Sequence, residues 1–145
     1  MMWKIKKFEE LTIHELHRIY KERTTVFVVE QACAYQEIDD SDLTSIHFFK
    51  QTNDNFMAYA RLIIESDSIR IGRVLVPKEH RKNGFGQELM TVILAHADKY
   101  YPGLPVNAQA QAYLKPFYAS FGFRPISEIY LEDTIPHIDM MRDIL

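Results

Sequence analysis

Between Ile46 and Val76 the apolar positions gather into three runs, Ile46–Gln51, Phe56–Ile64 and Ile69–Val76. Short polar stretches, Thr52-Asn53-Asp54-Asn55 and Glu65-Ser66-Asp67-Ser68, separate them. Runs of this kind bounded by turn residues predict three strands in an antiparallel meander. Pro77 stops the third, because it has no N–H to donate. Beyond it the period lengthens: Leu89, Val92, Ile93, Ala97 and Tyr100 share one side of a helix over Gly84–Tyr101, which Pro102-Gly103 ends. Val106–Ala110 is a strand after that crossover, so it should run parallel to Ile69–Val76 through a right-handed connection. Upstream, Trp3–Phe8 reads as a first strand. Thr12 and Glu15 have capping-box spacing, and Leu16, Ile19 and Tyr20 carry a helix over Thr12–Thr24. Val26–Val29 fits a buried helix end or a strand equally, and Glu30–Asp42 reads as a long loop of the kind that tends to be functional. Leu114–Phe121 is a short helix with Pro116 in its first turn. Phe123–Leu131 and Ile138–Met141 are closing strands. The fold class is α/β in the α+β sense: a mixed, mostly antiparallel central sheet with one parallel β-α-β crossover and helices on both faces.

Length changes this picture only by fixing one domain over residues 1–145, enough to bury about two-thirds of its unfolded surface. Apolar residues at 47% and charged ones at 26% are a soluble globular balance. A net charge of −3 provides no basic field for nucleic acid. The apolar runs are too short to span a bilayer, and the start lacks a secretory h-region. The single cysteine, Cys33, fits a reducing cytoplasm. Edge strands leave a homodimer open.

Candidate chemistry centres on Arg81-Lys82-Asn83-Gly84-Phe85-Gly86, between the third strand and the long helix. Two glycines allow a sharp turn and a close approach to a ligand. The helix start offers N–H groups without intrahelical partners and partial positive charge, a ready site for a diphosphate. Gln87-Glu88 follow where a nucleotide triphosphatase loop needs Lys-Ser/Thr, and the motif lies too far along the chain for a dinucleotide fold.

R-x-x-G-x-G after a strand ending Val-Leu-Val resembles the acyl-CoA signature of the GNAT superfamily of acyl-CoA N-acyltransferases. Phe117-Tyr118-Ala119-Ser120-Phe121-Gly122-Phe123 matches a second signature of that superfamily, with Gln111 seven residues before Tyr118 where Asn is frequent. Val26–Gln31, Tyr35–Asp39, Ile71–Val74 and Ile135–Ile138 resemble its ElaA-like branch over essentially the whole chain. The resemblance implies acetyl-CoA as cosubstrate, no metal, and transfer to a primary amine of a small molecule or peptide. It implies that the backbones of Leu75 and Val76 bind pantetheine amides, that Arg81, Lys82, Asn83, Gly84, Phe85 and Gly86 hold the diphosphate with Gln111 nearby, and that Tyr118 protonates the departing thiolate.

Ile69–Val76 holds no acidic residue where many relatives carry a Glu, so a base is sought elsewhere. His137 is the first candidate and Glu30 the second; the plainer readings are a structural histidine and a capping carboxylate. Tyr118 on residue type alone is a core aromatic beside Phe117 and Phe121. Glu37, Asp39, Asp40 and Asp42 read as a solvated face more readily than as an attractor of cationic amines. Arg73 either orders that loop through Asp39 or Asp42 or lies inert at the surface. Cys33 reads as buried and inert, and His14 and His17 as solvated. Lys78, Lys82 and Lys115 are candidates for the CoA 3′-phosphate. The alternative to an enzyme is a non-catalytic acyl-CoA-binding or sensing module.

Overall fold

The computed structural model describes residues 3–143, so the outermost two residues at each end of the expected 1–145 domain lie outside the described residues. The elements in chain order are β1 (Lys4–Lys7), α1 (Ile13–Arg23), β2 (Ile46–Gln51), β3 (Phe56–Ile64), β4 (Ile69–Leu75), α2 (Phe85–Tyr100), β5 (Val106–Gln111), α3 (Lys115–Ala119), β6 (Arg124–Pro125), β7 (Tyr130–Glu132) and β8 (Ile135–Arg142). They form one sheet in the order β1-β2-β3-β4-β5-β8-β6, with β7 also paired to β8. All pairs are antiparallel except β4–β5. This is the expected mixed α/β architecture.

Period-two alternation sorts side chains onto two faces. Phe48, Ala58, Ala60 and Leu62 pack with Leu89, Met90 and Ile93 of α2. Phe49, Phe56 and Tyr59 pack with Ile19 and Val26 from α1 and the turn after it. Helices therefore cover both faces, and α3 adds Tyr118 to the α2 side.

Alternation breaks at the start of β3, where Lys50 pairs with Ala58 but Gln51 with Phe56, and again in β4. Arg61 pairs with Gly72 but Tyr59 pairs with Leu75, so two steps on β3 face three on β4. The extra residue is a β-bulge, and Arg73 sits in it at φ 54°. The bulge reverses the faces: Ile69 and Ile71 belong to the α2 core, whereas Leu75 belongs to the α1 core. Left-handed φ at a non-glycine residue costs on the order of 1 kcal/mol, so the surroundings must hold it.

They do so with charge. Arg23, fully buried, donates to Glu37 at 3.1 Å and to Asp42 at 2.7 and 3.1 Å. Arg61 donates to Asp39 at 2.6 Å and Asp42 at 3.0 Å, and Arg73 pairs with Glu37 and Asp39. Glu37 and Asp42 are only 4% and 1% exposed, which replaces the solvated face expected for them. Three arginines spaced along the sequence made that expectation fail: paired, the carboxylates can be buried. Tyr59 donates to His47 Nδ1 at 2.7 Å and His47 Nε2 donates to the Asp42 carbonyl at 2.9 Å, so burial keeps this imidazole neutral by lowering its pKa.

Other departures are local. After α1 the Thr24–Glu30 stretch widens into π-helical turns, closed by Cys33 N–H donating to the Val28 carbonyl at 3.0 Å. A β-branched run crowds a tighter helix. Phe123–Leu131 is not one strand but β6 and β7, since Pro125 has no N–H for the ladder and the chain then crosses to the other half of β8. The last helix is shorter than Leu114–Phe121, with a 3₁₀ turn at Ala112–Leu114 before it. No helix of the described residues is long and apolar enough to cross a membrane.

Thr12 caps α1 as its spacing predicts, and Glu15 closes the box while accepting from Lys4 and Lys6 at 2.9 Å each. Burial alone would raise the Glu15 carboxyl; Lys4, the Thr12 N–H and Lys6 outweigh it and hold it at about 2. A folded-state value below the unfolded one stabilises above about pH 4.5, and that contribution disappears as pH falls toward 2. Glu15→Gln should therefore lower stability at pH 7 by about 1–2 kcal/mol, discounted for the exposed lysine. In urea titrations the gap from wild type should close between pH 4.5 and pH 2; a gap independent of pH would contradict the assignment.

Candidate active-site cleft

β4 and β5 pair only through Ile69↔Val106, Arg70↔Asn107 and Ile71↔Ala108. Both strands continue, β4 to Leu75 and β5 to Gln111, without pairing further. The bulge at Arg73 bends β4 away at this point. A cleft of about 770 Å³ occupies the gap, lined by Gly72–Val76 on one side and by Gln109 and Gln111 on the other.

The α2 N-terminus opens into the same cleft. Glu88 N–H donates to Gly84 carbonyl at 3.0 Å, the first bond of the helix, so the amides of Phe85, Gly86 and Gln87 have no intrahelical partner. No side chain caps the end. Gly84 holds φ 80° and Lys82 holds φ 68°, a turn with two left-handed residues that gathers amides around a concavity. Asn83 does not line the cleft; its amide donates to the carbonyls of His80 at 3.1 Å and Arg81 at 3.3 Å and so braces the loop. Lys82 lines the cleft, whereas Lys78 and Lys115 do not. A β-carbon on Gly86 would meet the Phe117 ring at 3.6 Å, ordinary contact, so packing alone does not require glycine there. Open amides, partial positive helix charge and glycines at positions 84 and 86 fit a diphosphate.

Arg81 is already engaged: its Nε donates to the Val76 carbonyl at 2.9 Å and its Nη2 to both Glu30 oxygens at 2.8 and 2.6 Å. Both side chains are partly exposed, so the pair is worth about 0–1 kcal/mol and a phosphate can displace it. Glu30 reaches the cleft because the π-helical turns carry it past the end of α1.

Tyr118 of α3 and His137 of β8 both line the cleft. Tyr118 is 4% exposed, in edge contact with Phe117 and Phe123, and its hydroxyl makes no hydrogen bond among the described residues. Burial pushes its phenol up to about 12, with Tyr113 adding to the effect, so it keeps its proton at neutral pH. His137 pairs across strands with Gln111 and lies flat on Tyr130. Its Nδ1 donates to the Ile135 carbonyl at 2.7 Å, which leaves an Nε2 lone pair.

Of the residues expected at the site, Leu75, Val76, Arg81, Lys82, Gly84, Phe85, Gly86, Gln111, Tyr118, His137 and Glu30 all line this one cleft; Asn83 stands behind it. Cys33 is half-buried rather than buried, lines the cleft, and its thiol meets the Asp133 carbonyl at 3.5 Å, since the turn it sits on ends at the rim. Tyr35, Arg61, Gln109 and Asp133 also line the cleft and were not anticipated. Gln109 had a signal: in Val-Asn-Ala-Gln-Ala-Gln the polar residues alternate on a central strand, which marks a face not packed against a helix.

A sheet parted between its parallel strands, with an open helix N-terminus at the parting, defines the acyl-CoA N-acyltransferase class of fold. The chain belongs to the GNAT family: the family described as "Acetyltransferase (GNAT) domain" matches residues 11–144. It is 42% identical to protein ElaA of Escherichia coli over 99% of this chain and 97% of that one. It is 43% identical to a UPF0039 protein of Schizosaccharomyces pombe over 96% and 95% of the two chains. The crystal structure of Escherichia coli ElaA superimposes with a TM-score of 0.94, covering 99% of this chain and 100% of that one. An acyl-CoA N-acyltransferase from Pseudomonas aeruginosa, 38% identical, superimposes at 0.93 with the same coverage. Membership implies a CoA-linked cosubstrate and an acceptor.

Nothing lies within 4 Å of where a Gly84 β-carbon would sit, so the cost of one there is backbone cost alone. Gly84→Ala should lower unfolding stability by about 1 kcal/mol, read from the urea midpoint. An unchanged midpoint would mean that this turn is not left-handed.

Proposed function

We propose that residues 1–145 form a single N-acetyltransferase domain that moves an acetyl group directly from acetyl-CoA to a primary amine of a small molecule or peptide, in the cytoplasm. One observation carries the reading: the β4–β5 parting opens onto the uncapped start of α2. No metal is needed for this chemistry.

In this reading the amides of Phe85 and Gly86, with Gly84 and the turn at Lys82 and Asn83, receive the diphosphate, and Arg81 turns from Glu30 to meet it. The Leu75 and Val76 backbones take the place of a ladder partner for pantetheine, as an added strand would. A backbone N–H on the parted edge stabilises negative charge developing on the thioester oxygen. Tyr118 holds the proton that the departing thiolate takes. His137 Nε2 accepts the proton of the amine, and Gln111 beside it orients the acyl end. Glu30 holds the acceptor's positive charge once Arg81 has left it.

CoA release measured with polyamines, amino acids and peptides as acceptors tests the reading. Acceptor-dependent release supports it. Tight acetyl-CoA binding without release by any acceptor would favour the non-catalytic binding module, which the occupied state of Glu30 also accommodates. Tyr118→Phe should lower kcat about 100-fold with acetyl-CoA affinity within about twofold, since the ring packing is kept. Lost affinity with normal kcat would remove the acid role. His137→Ala should lower kcat by a comparable factor of about 100, and Glu30→Gln by less. The reverse order would make Glu30 the base.

A further inference from the structure

The bulge in β4 is held by the side chain of the residue that forms it. Arg73 stands in β4 at φ 54°, and its guanidinium leaves the strand toward the loop after α1. Nε pairs with the Glu37 carboxylate, while Nη2 donates to the Glu37 carbonyl at 2.9 Å and lies 3.4 Å from Asp39. The Tyr35 ring covers it, 5.6 Å from centroid to guanidinium. Glu37 cannot yield, because fully buried Arg23 grips the same carboxylate and the same carbonyl. The contact is therefore one between a strained strand residue and an anchored loop, and both line or abut the cleft.

We propose that Arg73 is a positioning residue for acyl-CoA binding: clamped by Glu37, it holds the β4 bulge and so keeps the strand edge at Leu75 and Val76 parted from β5. The inference rests on the transferase reading and adds to it the device that sets the gap. With the clamp, the amides of residues 74–76 are fixed before any ligand arrives. Without it, the bulge can slide or close toward β5, and the pantetheine arm must reopen the gap as it binds. The α2 N-terminus is built by a separate turn at residues 82–84, joined to the β4 edge through the Arg81 Nε bond to the Val76 carbonyl and making no contact with Arg73 or Glu37 among the hydrogen bonds of the described residues. The two halves of the ligand site are thus held by different devices, one by a buried ion network and the other by a left-handed turn.

Arg73→Gly separates backbone from side chain, because glycine adopts the same φ without strain and only the clamp is lost. Calorimetric titration of the full chain with two probes, acetyl-CoA and ADP, reads the two halves: ADP needs only the cradle, whereas acetyl-CoA also needs the gap. Arg73→Gly should weaken acetyl-CoA at least tenfold and leave ADP within twofold. Arg73→Lys keeps a charge for Glu37 but not the second contact, and should weaken acetyl-CoA about threefold with ADP unchanged; it serves if the glycine variant does not fold. Amide exchange at Leu75 and Val76 should quicken in both. Equal loss for both probes would mean a general structural role and overturn the proposal, as would wild-type acetyl-CoA affinity in either variant. Failure of the wild-type chain to bind either probe would instead sink the transferase reading on which it stands.

Discussion

Arg23, with no exposed surface, needs both Glu37 and Asp42, and everything around the cleft follows from satisfying it. An isolated guanidinium in that position would be prohibitive, so the loop must deliver two carboxylates to it. Doing so draws residues 37–42 onto the sheet, where Asp39 and Asp42 also meet Arg61. Glu37 is left with a free side toward β4, and Arg73 takes it. The network joins α1, the long loop, β3 and β4. It ties the covering helix on one face to the irregularity in the strand that shapes the site.

That irregularity makes two consequences from one inserted residue. It changes which positions face which core: Ile69 and Ile71 face the α2 core before the bulge, whereas after it Val74 and Val76 do and Leu75 turns to the α1 core. It also ends pairing with β5, exposing main-chain groups on an interior edge. Backbone groups buried without partners are costly, and a ligand that supplies amides of its own relieves that cost. Beyond the parting, the α2 start presents further amides with no partner. The cleft is a place where the fold leaves its own hydrogen bonding incomplete, in one continuous line from strand edge to helix end.

Charge around this line is arranged to be exchangeable where the cavity is open and fixed where it is closed. Arg81 and Glu30 are partly exposed and hold each other weakly. Arg23, Glu37 and Asp42 are buried and hold each other strongly. Burial keeps Tyr118 protonated, and the Ile135 carbonyl fixes the His137 tautomer. The Tyr118 phenol and the His137 imidazole therefore line one cleft, from α3 and β8.

The sequence by itself determined the strand meander, the parallel return at Val106, the Thr12 cap and the glycine turn into α2, because these are written in local period and in residue types with one backbone use. Eleven of the twelve residues singled out for the site line the cleft, since the motifs that named them sit at strand and helix ends that topology brings together. Tertiary structure alone decided the rest. A bulge has no local signature: Ile-Gly-Arg-Val-Leu reads as an unbroken strand, and only pairing against β3 and the grip of Glu37 place Arg73 in a left-handed conformation. The acidic loop looked solvated because its three arginine partners come from α1, β3 and β4, as far as 36 residues away in the chain. Period and propensity act over a few residues, whereas the burial of paired charge is settled only when distant segments meet.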